Sequence, residues 1–166
     1  MSNIPPRTDP FARVGADTPR SRVAYYRTVC NLPAVVEPGT GRISFTAGMV
    51  WAIEMPSELG QSVKIHLDTT KQGGGPIVTH PRSHTWTFLV RSDIPATMVA
   101  AEAALYRSRR ITVLGNGERV ALPSPADEGS EYRGWITAAH SLFRPSGRAV
   151  LYGVHACPTP PHEHSR

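Results

Sequence analysis

The sequence predicts a single compact α+β domain. Stretches with apolar residues at helical spacing take turns with short β-rich runs closed by glycine-marked turns. Their order lacks the regular strand–helix–strand repeat of a parallel sheet. A chain of 166 residues is long enough to bury a substantial core and too short for a second full domain.

The stretch from Met1 to Pro19 has four prolines and few apolar residues, so it buries too little surface to offset its ordering entropy. Residues 1–20 are therefore expected as a flexible arm, residues 21–154 as the folded domain, and the proline-broken residues 155–166 as a loose tail. Ser21 is placed to cap a helix running through Val23, Tyr25, Tyr26 and Val29 to about Asn31, with Pro33 ending it. A turn at Glu37–Gly41 follows. Arg42–Phe45 and Met49–Glu54 read as two strands of a hairpin around Gly48. Ser57 then caps a helix whose apolar face is Leu59, Val63 and Leu67.

Gly73–Gly75 must be a loop, and it reads as a flexible linker because no Gly-Lys-Ser/Thr follows to make a phosphate loop. Pro76–His80 and Thr85–Val90 read as paired strands. Asp93 opens the longest helix, through Met98, Ala101 and Leu105 to about Ser108. Ile111–Leu114 and Arg119–Leu122 flank Gly115-Asn116-Gly117, where the Asn-Gly step signals a type I′ hairpin turn with positive φ at both central residues. Tyr132–Ile136 is a last strand. Ala138–Phe143 and Ser146–Gly153 complete the pattern as short helices broken at Pro145.

The net charge is +5, and of eighteen basic residues only Lys64 and Lys71 are lysines. Arginine suits phosphate because its planar fork donates two parallel hydrogen bonds to an oxyanion. The same composition also follows from GC-rich coding, and both readings stand. Cys30 and Cys157 lie far apart with no CxxC pattern, and no charged-then-apolar leader opens the chain, so a cytoplasmic protein with reduced thiols is expected. No apolar run approaches the ~20 residues that span a bilayer. The scattered basic charge gives no amphipathic membrane face, so no membrane partner is expected.

Five stretches carry a family resemblance: Tyr25–Pro33 (YYRTVCNLP), Gly48–Glu54 (GMVWAIE), Arg82–Phe88 (RSHTWTF), Thr112–Ser124 (TVLGNGERVALPS) and Gly129–Trp135 (GSEYRGW). In that order they resemble the N-terminal domain of bifunctional DNA primase/polymerases, of the archaeo-eukaryotic primase superfamily. The resemblance implies a mainly antiparallel sheet flanked by helices. It also implies two-metal nucleotidyl transfer, in which carboxylates hold two divalent ions ~4 Å apart. At the three acid positions this chain has Ala52, Glu54 and Thr112, so one carboxylate remains and polymerisation by that mechanism is not expected. His84 is offset by one residue from the family's histidine, which on a strand would turn it to the opposite face.

Other constellations have plain structural readings. Asp68, Glu102, Asp127, Glu128 and Glu131 offer carboxylates for a rebuilt metal site, but they fall on helices and loops. Ser83 and Ser124 lack a nucleophile elbow. His155, Cys157, His162 and His164 have zinc-ligand chemistry without the spacing of a zinc module.

The candidate phosphate or nucleic-acid contacts are Arg82, His84, Arg107, Arg109, Arg110, Arg119 and Arg133, with Trp86 and Trp135 as candidate stacking rings and Glu54 as the residual acid. A dipole role at a helix end equally explains the Arg107–Arg110 cluster, and a core role equally explains the tryptophans. No catalytic residue, metal or cofactor is assigned. The expected function is a non-catalytic primase/polymerase-like domain that binds DNA, RNA, a nucleotide or a replication or transcription protein. A protein-interaction or regulatory module without nucleic-acid contact is the first alternative, and a nucleotidyltransferase with relocated carboxylates the second. The oligomeric state is left open.

Overall fold

The computed structural model describes residues 17–158, and the expectations for residues 1–16 and 159–166 lie outside the described residues. The chain runs α1 (Pro19–Thr28), β1 (Val35–Val36), β2 (Ile43–Thr46), β3 (Val50–Pro56), α2 (Ser57–Thr69), β4 (Ile77–His80), β5 (Thr85–Arg91), α3 (Ala96–Ala101), α4 (Ala103–Ser108), β6 (Thr112–Leu114), β7 (Arg119–Leu122), β8 (Gly134–Thr137) and α5 (Gly147–Ala156). Short 3-10 turns cover Pro81–Ser83 and Gly129–Glu131. The result is a compact α+β domain with two antiparallel sheets. One is three-stranded, in order β1-β2-β7, and the other is five-stranded, in order β6-β3-β5-β4-β8.

Successive side chains on a strand point to opposite faces, so the larger sheet feeds two cores. Ala52, Val78 and Leu89 pack with Tyr26 of α1 and with Phe45 and Leu122 of the smaller sheet. Ile53, Met55, Phe88 and Val90 pack instead with Val63 and Leu67 of α2 and Leu151 and Val154 of α5. The helix α2 buries the face expected of it, with Val63 and Leu67 inside and Leu59 half-buried. Its Gly60 is needed for close approach: a Cβ there would lie 3.0 Å from the Cβ of Trp86.

Several local expectations are corrected. The first helix is capped by Thr18 rather than Ser21, which serves as the reciprocal partner of a capping box, with Pro19 at the first helical position. Residues 19–20 and 155–156, expected in loose ends, are helical. Ser57 does not cap α2 with its side chain; Pro56 takes the cap position, and the Ser57 amide donates to the His84 carbonyl at 2.8 Å.

Neither β2–β3 nor β6–β7 is a hairpin. Each connection leaves one sheet and enters the other, because β2 pairs with β7 while β3 pairs with β6 and β5. The two corners are bonded to each other: the Ala47 amide donates to the Glu118 carbonyl at 2.8 Å, and the Gly117 amide to the Ala47 carbonyl at 2.9 Å. At the Asn116-Gly117 turn only Gly117 has positive φ, at 85°, so the turn is not type I′. Asn116 instead accepts a hydrogen bond from the Trp51 indole at 2.9 Å.

The long helix expected from Asp93 to Ser108 is broken into α3 and α4 at Glu102. Asp93 caps α5 from outside: its carboxylate accepts from the Ser146 hydroxyl at 2.6 Å and from the Gly147 amide at 2.8 Å. Residues 138–143 form no helix. The triple-glycine loop is not a free linker, since a side chain at Gly75 would collide with the Pro145 ring. No helix among the described residues is long and apolar enough to cross a membrane.

Candidate functional site

The β3–β5 pair runs from Val50↔Arg91 at one end to Pro56↔Thr85 at the other, and a cleft opens at each end.

At the Pro56↔Thr85 end the cleft encloses about 640 Å³. Glu54 of β3 and Thr112 of β6 stand opposite each other as Cα partners, so two of the three positions singled out by the resemblance meet on its wall. The third, Ala52, is fully buried in the first core, where no ligand reaches it. His84 lines the same cleft, but not from a strand: it sits in the left-handed region at φ 54° after the Pro81–Ser83 turn. The expectation of an opposite strand face therefore does not apply to it.

The end of α4 closes the other wall with Tyr106, Arg107 and Arg110. Arg107 and Arg110 are exposed, and among the described residues their side chains make no hydrogen bond or ion pair. Tyr106 is 5 % exposed, and its buried hydroxyl has no hydrogen-bond partner. Burial raises the Tyr106 phenol above its usual range, and the Glu102 charge adds to that. The cleft thus offers two uncommitted guanidinium groups and an imidazole facing Glu54 and Glu58.

The other selected residues are placed elsewhere or already engaged. Arg109, between Arg107 and Arg110 in sequence, is turned away from the cleft: it donates to the Val154 carbonyl at 2.8 Å and the Cys157 carbonyl at 2.7 Å. It closes the carbonyl end of α5, a structural role. Arg133 is half-buried and donates to the Glu131 carbonyl at 3.1 Å. Arg82 is exposed beside His84, and Arg119 is exposed on β7 in the smaller sheet. Trp86 packs against Gly60 and the second core, while Trp135 stands edge-on to Tyr26 at 5.9 Å in the first. Both rings are held by packing rather than presented for stacking.

The relocated-acid expectation finds its carboxylates dispersed. Asp68 pairs with Lys64 at 2.7 Å, Glu131 with Arg42 at 2.9 Å, and Glu102 faces His155 at 3.6 Å. Asp127 accepts from the Ser124 amide at 3.0 Å. Ser124 is itself buried, with its hydroxyl donating to the Gly41 carbonyl at 2.7 Å, so it is a turn anchor rather than a nucleophile. Among the described residues no group of three His, Cys, Asp or Glu side chains is placed to hold a metal ion.

The cleft at the Val50↔Arg91 end, about 1320 Å³, is the larger, and sequence reasoning missed it. Arg27, Lys71, Arg91 and Arg144 line it, together with Met49, Leu142 and Phe143. These residues come from five separate stretches of the chain, and no motif joins them. The one signal in the sequence is Leu142-Phe143, an apolar pair outside any periodic run, which falls within the short helix expected over Ala138–Phe143.

Arg144 is only 7 % exposed. Its guanidinium donates to the carbonyls of Cys30 at 2.5 Å, Phe143 at 2.7 Å and Ser141 at 3.0 Å, and its Nε is buried without a partner. Burial pulls its pKa below the ordinary arginine value; burial likewise pushes the adjacent Cys30 thiol up, against the opposing pull of Arg144.

Compared with protein-family models, curated proteins and solved structures, the chain matches none of them.

Proposed function

We propose that this chain is a non-catalytic primase/polymerase-like domain that binds a phosphate-bearing ligand, a nucleotide or a nucleic-acid strand, in the Glu54 cleft. The observation that supports this reading is the pair Arg107 and Arg110, uncommitted and exposed, beside His84 and opposite Glu54. Guanidinium groups bind phosphate oxygens bidentately, and Glu54 and Glu58 are left to accept hydrogen bonds from sugar hydroxyls or a base amine. A volume of about 640 Å³ falls within the range of small-molecule sites. Transfer chemistry is left out because Ala52 and Thr112 cannot ligate the paired metal ions that it needs.

Two measurements test this. Labelled nucleotides with primer and template, in magnesium or manganese, should give no extension; metal-dependent extension lost in Glu54→Gln would overturn the non-catalytic part. Titration of nucleoside triphosphate and of a labelled oligonucleotide separates the two ligand sources. Binding of at least one should weaken by about ten-fold in an Arg107→Ala/Arg110→Ala variant. Oligonucleotide affinity should fall steeply with salt, from a range of roughly 10⁻⁴ to 10⁻⁶ M. Equal affinity in wild type and variant would remove the cleft from consideration.

A further inference from the structure

We infer that the larger cleft, at the Val50↔Arg91 end of the β3–β5 pair, is a docking groove for an acidic, apolar segment of a partner protein. It shares no lining residue with the Glu54 cleft, so the inference stands apart from phosphate binding there.

Charge complementarity identifies the partner. The lining carries four cationic side chains, Arg27, Lys71, Arg91 and Arg144, and among the described residues no carboxylate lines it. Asp93 lies 4.0 Å from Arg91, outside the lining, and its carboxylate is engaged at the start of α5. Arg27 is held in place by a 2.7 Å bond from its Nε to the Ala34 carbonyl. Arg144 is a buried cation that is solvated by three carbonyls and, among the described residues, has no ion-pair partner. A groove with one sign of charge and low-dielectric walls focuses its field and concentrates ligands of opposite sign.

Shape and apolar exposure say that the anion is carried on a peptide. Met49 is 86 % exposed, Leu142 68 % and Phe143 50 %. Large apolar side chains clustered at a concave rim mark interaction sites, and methionine in particular adapts to a partner's side chains. The volume of about 1320 Å³ exceeds the usual small-molecule site and suits several residues of a segment laid along the groove. A single-stranded nucleic acid would carry the charge too, but such grooves present successive aromatic rings for stacking, and here Phe143 is the one aromatic residue in the lining.

The full chain is titrated by fluorescence anisotropy with three labelled probes: a peptide of glutamate alternating with leucine and phenylalanine, the same peptide with glutamine for every glutamate, and oligothymidylate. The acidic peptide should bind at least about ten-fold more tightly than the glutamine peptide. Lys71→Glu/Arg91→Glu and Met49→Ser/Phe143→Ser should each weaken it by about ten-fold or more, since they remove the charge and the anchors respectively. All four residues are exposed, so both variants should remain folded, with the melting temperature of Lys71→Glu/Arg91→Glu slightly lower because it sets a second carboxylate beside Asp93. Failure of the acidic peptide to bind, equal binding of the glutamine peptide, or full binding by Lys71→Glu/Arg91→Glu would overturn the inference. Tighter binding of oligothymidylate with the same sensitivity would assign the groove to nucleic acid, and concentration-dependent self-association lost in both variants would assign it to a second copy of the chain; either result also overturns it.

Discussion

The two ends of the β3–β5 pair meet solvent in different ways. At the Pro56↔Thr85 end, Glu54 and Glu58 share a cleft with Arg107, Arg110 and His84, so both signs of charge converge among hydroxyl-bearing side chains. At the Val50↔Arg91 end four cations line a cleft about twice as large, and its rim is apolar. The first arrangement selects a small ligand with its own distributed polarity; the second selects an anion that arrives on an apolar carrier. The difference comes from what packs at each end. Ser83, His84 and the polar groups at the end of α4 line the first, whereas the second is covered by the loop that ends at Arg144-Pro145.

The largest effect should come from Arg144, the deepest element of the second cleft. Replacing it by methionine keeps most of the volume but leaves the Cys30, Ser141 and Phe143 carbonyls without their donor. Leaving buried acceptors unsatisfied should cost about 3 kcal/mol and lower the melting temperature by roughly 10 °C. Thermal unfolding followed by circular dichroism reads this directly. An unchanged melting point would mean that relief from desolving the cation balances the lost bonds, as happens where apolar residues replace buried charges, and Arg144 would then be placed for charge rather than for stability.

How much of this was legible in the sequence depends on how far the deciding contacts reach. The face of α2 built on Val63 and Leu67, and the pairing of β4 with β5, were legible because periodicity and a short connection are local. Sheet membership was not. Gly48 and Asn116-Gly117 mark reversals correctly, but a turn signal does not say which strand edge the chain meets afterwards, and both reversals cross between sheets. Asp93 has the residue type and position of a helix start in the sequence, but its carboxylate serves a helix that begins more than fifty residues later.

The Glu54 cleft was half legible: Glu54, His84, Arg107 and Arg110 were all selected, yet Arg109 was selected with them, since sequence alone does not rotate three neighbouring arginines around a helix end. The second cleft was illegible because residues from Arg27 to Ala149 meet only in the fold.

An intermediate effect is expected at the paired corners. Gly117 has φ 85°, and a Cβ added there would meet nothing within 4 Å, so a substitution acts through backbone strain alone. Gly117→Val should cost about 1–2 kcal/mol, and Gly117→Asn, which tolerates the left-handed region, should recover most of that. Melting temperatures of the three proteins give the order. Because the Gly117 amide is bonded to Ala47, next to Gly48 and Met49 on the larger cleft, any loss of binding in the valine variant should appear with the acidic peptide and not at the Glu54 cleft. Loss at both ends together would show that the clefts are not independent.

The smallest effect concerns Asp93, beneath the second cleft. Burial would raise its pKa, but hydrogen bonds from Ser146, Gly147 and Arg148 and the charge of Arg91 outweigh burial and hold the carboxyl below the usual aspartate range. A carboxylate with a depressed folded-state pKa binds fewer protons folded than unfolded. It therefore contributes stability that is complete above the unfolded-state value and is lost as pH falls through the folded one. The start of α5 should accordingly loosen on acidification from pH 5 downward, about a unit above the ordinary aspartate value, while staying constant near neutrality. Asp93→Asn keeps the shape and one acceptor but removes the charge, so its unfolding free energy should be lower than wild type at neutral pH and converge with it at acid pH. Denaturant unfolding of both proteins across that range decides the matter. Parallel curves at every pH would mean that Asp93 caps α5 through geometry alone, with its charge contributing nothing to the stability of the helix start.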